Sequence, residues 1–163
     1  MSHDQTFRLV LVAGAVLLLP IMVFFRIRSQ LTGEKLDRRQ EGLAIMIGVR
    51  AFGAATIFAV FAFMINPQSM AWASINLPEW LRWIGVGLGF LGGSLLAWTL
   101  VNLGKNLTDT VVTRKEHSLV NTGPYRWVRN PFYDAVALCI LANGLASANW
   151  FILVSGTVVV TLL

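Results

Sequence analysis

Cysteine occurs once in the 163-residue chain, histidine twice and tyrosine twice, and charged residues make up only 13% of it. The lone Cys139 excludes an intramolecular disulfide, and its setting in the run AVALCILA fits a small buried hydrophobe. His3 and His117 lie far apart in the sequence and cannot join Cys139 in a zinc-type ligand set, so no metal site is expected. Acidic residues are also scarce, eight against thirteen Lys and Arg, which leaves a net charge of +5 at pH 7. That excess forms no aromatic-interleaved basic surface, so no nucleic-acid partner is expected. The basic residues instead flank apolar runs.

Apolar residues make up 56% of the chain and the mean hydropathy is +0.66, values of a polytopic membrane protein. Crossing a bilayer as a helix takes roughly 20 apolar residues. The runs 7–25, 43–65, 80–103 and 131–148 reach or nearly reach that length. The first is too long for a signal peptide, has no small-residue cleavage site and is followed directly by Arg26 and Arg28, so it reads as a retained helix. A fifth run, 150–163, falls short of the roughly 17 residues a crossing requires and reads as a truncated span. The expected fold is all-α: a polytopic integral membrane helical bundle of about five transmembrane helices, the last incomplete, in one membrane domain over 1–163.

Orientation follows from the connectors. Segment 26–41 carries Arg26, Arg28, Lys35, Arg38 and Arg39, and segment 104–130 carries Lys105, Arg114, Lys115, Arg126 and Arg129, whereas segment 66–79 carries no Lys or Arg. The positive-inside bias places both basic connectors in the cytoplasm and the N-terminus outside, in the cell inner membrane. Trp72, Trp80, Trp83 and Trp150 then fall at the outer boundary, with Trp98 and Trp127 near the inner one. Gly85, Gly89 and Gly93 form two overlapping small-xxx-small units, a helix-packing stripe. The surrounding GVGLGFLGG is no dinucleotide loop, because it follows no strand. Arg50, about two turns into its span, is expected to snorkel or pair between helices. Arg82 lies close to the outer boundary and needs no special account. The connector 26–41 has mixed charges and no ligand-like spacing, and it reads as a solvated loop.

Chemistry concentrates in the segment 116–133, EHSLVNTGPYRWVRNPFY, where polar and turn-forming residues stand between apolar blocks. Asn130-Pro131 is a helix start, with Asn as N-cap and Pro at the first helical position. Its first amides and positive dipole end offer an anion site. Tyr125 and Tyr133 provide ring faces for a cation, Gly123-Pro124 turns the connector back, and Leu119 and Val120 add an apolar wall. A ligand combining an adenine ring, a carboxylate and a sulfonium matches this set better than a phosphate does. On residue types alone, an interfacial loop with anchoring aromatics and headgroup-binding arginines fits as well.

The order of these residues is more specific. His117-Ser118-Leu119-Val120, Gly123-Pro124-Tyr125-Arg126 and Val128-Arg129-Asn130-Pro131-Phe132-Tyr133 resemble the H-x-L-V, G-P-Y and R-H-P-x-Y signature of the isoprenylcysteine carboxyl methyltransferase family. The preceding LGKNLTD is also similar to that family, and the rest of the chain resembles it in topology only.

The resemblance implies a membrane enzyme that transfers a methyl group from S-adenosylmethionine to a lipophilic acceptor, such as a prenylcysteine carboxylate, a lipid amine or a thiol. It places His117, Ser118, Leu119, Val120 and Tyr125 along the cofactor site, with Asn130 and Tyr133 closing it and Gly123, Pro124, Arg129 and Pro131 in support. The implied partners are the lipid bilayer and a lipophilic small-molecule or lipidated substrate.

Two departures stand out. Asn130 occupies a place where the family more often has histidine; it keeps the hydrogen-bonding capacity but cannot become cationic. The family also continues into a cytoplasmic tail with an arginine and a pair of glutamates, so the expectation for 1–163 is an incomplete site. No catalytic base is evident, since Asp134 equally suits a dipole partner of its helix. Two other readings stand beside this one. A sterol-type membrane reductase would be longer, with more spans. A non-catalytic scaffold or transporter-like protein would need a polar pathway, for which Arg50, Asp134 and Asn143 are too few.

Overall fold

The computed structural model describes residues 3–30, 43–103 and 122–162. Five α-helices account for most of them: α1 (His3–Gln30), α2 (Leu43–Ile65), α3 (Glu79–Leu103), α4 (Pro131–Ser147) and α5 (Trp150–Leu162). Short 3-10 helices occupy Pro67–Ala73 and Gly123–Arg126. No sheet forms among the described residues, and an isolated bridge between Ser74 and Asn149 is their one β-type pairing.

Three helices are long and apolar enough to cross a membrane, over Asp4–Arg28, Ile45–Ile65 and Glu79–Leu103, while α4 and α5 are shorter apolar helices. The outward faces are apolar at mid-helix, with Leu17 71%, Phe58 74% and Phe90 76% exposed. Such large apolar side chains facing outward on several helices suit lipid and not water. The protein is a helical membrane bundle.

α3 and α4 form its most extensive pair, α5 packs between α4 and α2, and α1 lies mainly on α3. Small residues make the central contact possible. A methyl group at Gly85 would stand 2.8 Å from the Ala146 amide nitrogen, and one at Gly92 would stand 2.9 Å from Leu138 Cβ and 3.1 Å from the Cys139 nitrogen. Gly89 lies between them against Ala142. The stripe facing α4 is therefore Gly85, Gly89 and Gly92. Gly93, the expected third member, turns instead toward Leu18 of α1. Its departure from the i, i+4, i+8 row follows from the 3.6-residue turn, because i+7 returns closer to the face of i than i+8 does.

Polar groups fasten the shorter helices. Ala148 adopts a left-handed conformation (φ 50, ψ 50) at the end of α4, and the Asn149 amide returns to the Gly144 carbonyl at 3.0 Å. This is a Schellman-type stop, completed without glycine. The buried Asn149 then caps α5, its Oδ1 accepting from the Ile152 amide at 3.1 Å, while the Ile75 amide donates to the Ala148 carbonyl at 2.8 Å. Between α5 and α2, Thr56 Oγ1 and Ser155 Oγ are 2.9 Å apart and buried. Arg50 is exposed and makes no hydrogen bond or ion pair among the described residues, in keeping with a snorkelling side chain.

Arg82 departs most from its sequence-based expectation. It is 7% exposed, its Nη1 donates to Asp4 Oδ1 at 2.9 Å, its Nε donates to the Ala146 carbonyl at 3.0 Å, and its Cζ lies 4.0 Å from the Phe7 ring centroid. Far from needing no account, it joins α1, α3 and α4. The close approach of α4 at Gly85 brings the Ala146 carbonyl within its reach.

Candidate functional site

The head of α4 meets the end of α3 through an apolar cluster. Leu96, Leu100 and Ala135 are buried there, with Ile21 and Phe25 of α1 and Phe132 and Val136 of α4 packed around them. This cluster fixes where the first turn of α4 points. Pro131 is buried at the first helical position, and the Tyr133 and Asp134 amides turn back to the Asn130 carbonyl at 3.1 and 3.4 Å. Asn130 occupies the N-cap position as its sequence predicts, but its side chain makes no capping hydrogen bond. With φ at −130° and ψ at 61°, it stands exposed beside the helix head.

The turn that precedes α4 is held by α3. Gly123 has φ +59, a conformation that costs a residue with a Cβ roughly 1–2 kcal/mol. A Cβ there would also stand 2.5 Å from Asn102 Cγ. Asn102 sits on the last turn of α3, donating through Nδ2 to the Trp98 carbonyl at 2.8 Å and accepting from Thr122 Oγ1 at 3.3 Å. Pro124 is buried, and its carbonyl accepts from the Trp127 and Val128 amides, each at 3.1 Å. Trp127 and Trp98 pack edge to face at 6.1 Å between centroids. Asn102 is thus a residue of the site that sequence reading left out. Its signal was its place in the run LVNLGKNLTD, one residue before the helix gives out.

Tyr125 and Tyr133, eight positions apart in sequence, lie near enough for their hydroxyls to interact electrostatically. Burial pushes the Tyr125 hydroxyl above its ordinary pKa of 10.0, and the nearby Tyr133 hydroxyl adds to the rise. At neutral pH this leaves an uncharged phenol whose ring face is available to a cation. Arg129 is exposed and makes no hydrogen bond or ion pair among the described residues. Asp134 is likewise exposed at the helix head. His117, Ser118, Leu119 and Val120 lie outside the described residues.

Gly123, Pro124, Tyr125, Asn130, Pro131 and Tyr133 therefore cluster at one end of the α3–α4 pair, around Asn102. No group of three or more His, Cys, Asp or Glu side chains able to hold a metal ion occurs among the described residues. No curated protein matches the chain as a relative. The model of the isoprenylcysteine carboxyl methyltransferase (ICMT) family matches residues 85–163. That match begins at the first glycine of the α3 stripe and takes in the turn at Gly123, the head of α4 and all of α5. Over these residues the chain is similar to the isoprenylcysteine carboxyl methyltransferase family, and the match supports the family that the motifs of segment 116–133 resemble.

Proposed function

We propose that the protein is an S-adenosylmethionine-dependent methyltransferase acting on a lipophilic acceptor. The family match over residues 85–163 supports a membrane methyltransferase in general. The observation that carries the finer reading is the pairing of Tyr125 with Tyr133 beside an Asn130 whose side chain is free of the helix it heads.

Two phenol ring faces suit a sulfonium, whose charge they meet without a counterion that would have to be stripped of water. The Asn130 amide offers a donor and an acceptor to the polar end of the cofactor. The head of α4 adds its dipole to any carboxylate placed there. Bound S-adenosylmethionine supplies an electrophilic methyl group on a sulfonium that leaves as a neutral thioether. The protein contributes alignment, bringing acceptor and methyl carbon to about 3–3.5 Å, and exclusion of water. An anionic acceptor needs no general base, which fits a site with only Asp134 as an acidic neighbour among the described residues. The acceptor reaches the site from the lipid and the cofactor from the cytoplasm, with the connectors 26–41 and 104–130 on the cytoplasmic side and the N-terminus outside.

Isothermal titration of S-adenosylmethionine into the purified protein tests this reading. Tyr125→Ala and Tyr133→Ala should each weaken binding, by about 0.5–2 kcal/mol from the lost cation–π contact, with lost packing added. Unchanged affinity in both variants rules the pocket out.

A further inference from the structure

A second polar feature lies at the other end of α3. Arg82 and Asn102 are twenty positions apart on one helix, roughly 30 Å at 1.5 Å per residue. A cavity of about 380 Å³ opens beside Arg82, lined with polar side chains including Asp4, Gln68, Asn76, Ser147 and Asn149.

The guanidinium carries five N–H donors in a planar fork. Nε is spent on the Ala146 carbonyl and Nη1 on Asp4, but Nη2 is buried without a hydrogen-bond acceptor. Native folds rarely leave a buried charged donor unanswered, so this one points to an acceptor that none of the described residues provides. Asp4 is 48% exposed and gives one carboxylate oxygen to Arg82. The cavity therefore presents a cation and an anion side by side. A bare anion would meet the Asp4 carboxylate and a bare cation the Arg82 guanidinium; a ligand carrying both charges meets each with its opposite. Nearby charges are already committed: Arg8 Nε donates to the Met64 carbonyl at 2.6 Å, and Glu79 accepts from Trp83 Nε1 at 3.4 Å. Exposed Trp72, Trp80, Trp83 and Trp150 surround this end of the bundle, and indoles collect at the level of lipid headgroups.

We propose that this cavity binds the headgroup of a zwitterionic phospholipid, its phosphate on Arg82 and its ammonium on Asp4. The inference is independent of the methyl-transfer reading, because the cavity and the head of α4 sit at opposite ends of α3.

The test uses the purified full chain in detergent, offered equal amounts of phosphatidylethanolamine and phosphatidylglycerol with matched acyl chains, with retained lipid counted by native mass spectrometry. Wild type should retain phosphatidylethanolamine in preference by about fivefold, the upper range for one partly exposed ion pair. Asp4→Asn keeps an acceptor for Arg82 but removes the ammonium's partner, so the preference should vanish or reverse. Arg82→Lys should lower retention of both lipids; should that variant fail to fold, the headgroup preference of Asp4→Asn decides alone. Equal retention by wild type, or an Asp4→Asn preference unchanged from wild type, overturns the proposal and leaves the cavity to water. Displacement of the lipid by soluble phosphoethanolamine at similar concentration overturns the lipid assignment in favour of a water-soluble zwitterion.

Discussion

Replacing Gly85 with alanine isolates the contact that sets the bundle. The new methyl carbon would stand 2.8 Å from both the Ala146 nitrogen and Leu145 Cβ and 3.1 Å from the Ala142 carbonyl oxygen. Carbon contacts prefer about 3.5–4.0 Å, so the shortfall against Leu145 Cβ is about 0.7–1.2 Å. None of the three opposing atoms is the far end of a flexible side chain, so α4 as a whole must move away. Overpacking of this kind costs about 1–3 kcal/mol. Alanine also returns about 1 kcal/mol of helix propensity relative to glycine. Gly87→Ala supplies the control, because a methyl group there meets nothing within 4 Å on the same helix. The propensity gain is common to both variants, so the difference between them is the overpacking cost itself. Gly85→Ala should therefore be about 1–3 kcal/mol less stable than Gly87→Ala in a detergent-to-dodecylsulfate unfolding titration followed by tryptophan fluorescence. Equal stability of the two variants would refute the close α3–α4 crossing.

Gly123→Ala should destabilise the turn by about 1–2 kcal/mol from its backbone conformation alone and weaken S-adenosylmethionine binding. On an Asn102→Ala background the same change should cost less, and a strictly additive double-mutant cycle would show that Asn102 does not press on Gly123. A tyrosine whose folded pKa is raised stabilises the fold below its unfolded pKa and loses that contribution as pH rises through the folded one. Stability should accordingly fall above pH 10, with one of the two tyrosines ionising late in absorbance at 295 nm; a late phase that persists in Tyr125→Phe would contradict the assignment. Cysteines placed at Ser29 and Ser118 in a Cys139→Ala background should react with impermeant maleimide from the same side, and labelling from opposite sides would overturn the proposed topology.

The lengths of the apolar runs located the helices but not the faces they turn to one another. Each helix is apolar nearly all round, as a lipid-embedded helix must be, so no polar stripe records its rotation. That is why the stripe Gly85, Gly89 and Gly92 had to be read from packing, and why Gly93 turned out to serve α1. The helix start at Asn130-Pro131 was legible because proline's missing N–H and fixed φ act locally. The left-handed stop at Ala148 was not, since alanine carries no signal for that conformation and the turn is held by Asn149 through tertiary contacts. The surroundings of Arg82 are likewise tertiary. Its nearness to a helix end suggested solvent, but the loop 67–78 and the α4–α5 turn close over that end of the bundle.

The distribution of polar groups along α3 follows from the solvent that surrounds it. From Trp83 to Gly93 the helix offers no hydrogen-bonding side chain except the Trp83 indole, and its packing there relies on absent side chains instead of attractive ones. Lipid tails are as apolar as leucine, so association at that depth gains little from hydrophobicity and depends on how closely backbones approach. The glycine stripe meets that requirement, and the polar contacts are left to the ends. At one end close approach puts the Ala146 carbonyl on Arg82; at the other the Leu96 and Leu100 cluster seats the head of α4 beside Asn102 and Gly123. Because one rigid helix pair carries both ends, a change in the crossing distance would displace both. Substitutions in the stripe should therefore be felt at the Tyr125–Tyr133 pair, even though no glycine of the stripe belongs to that site.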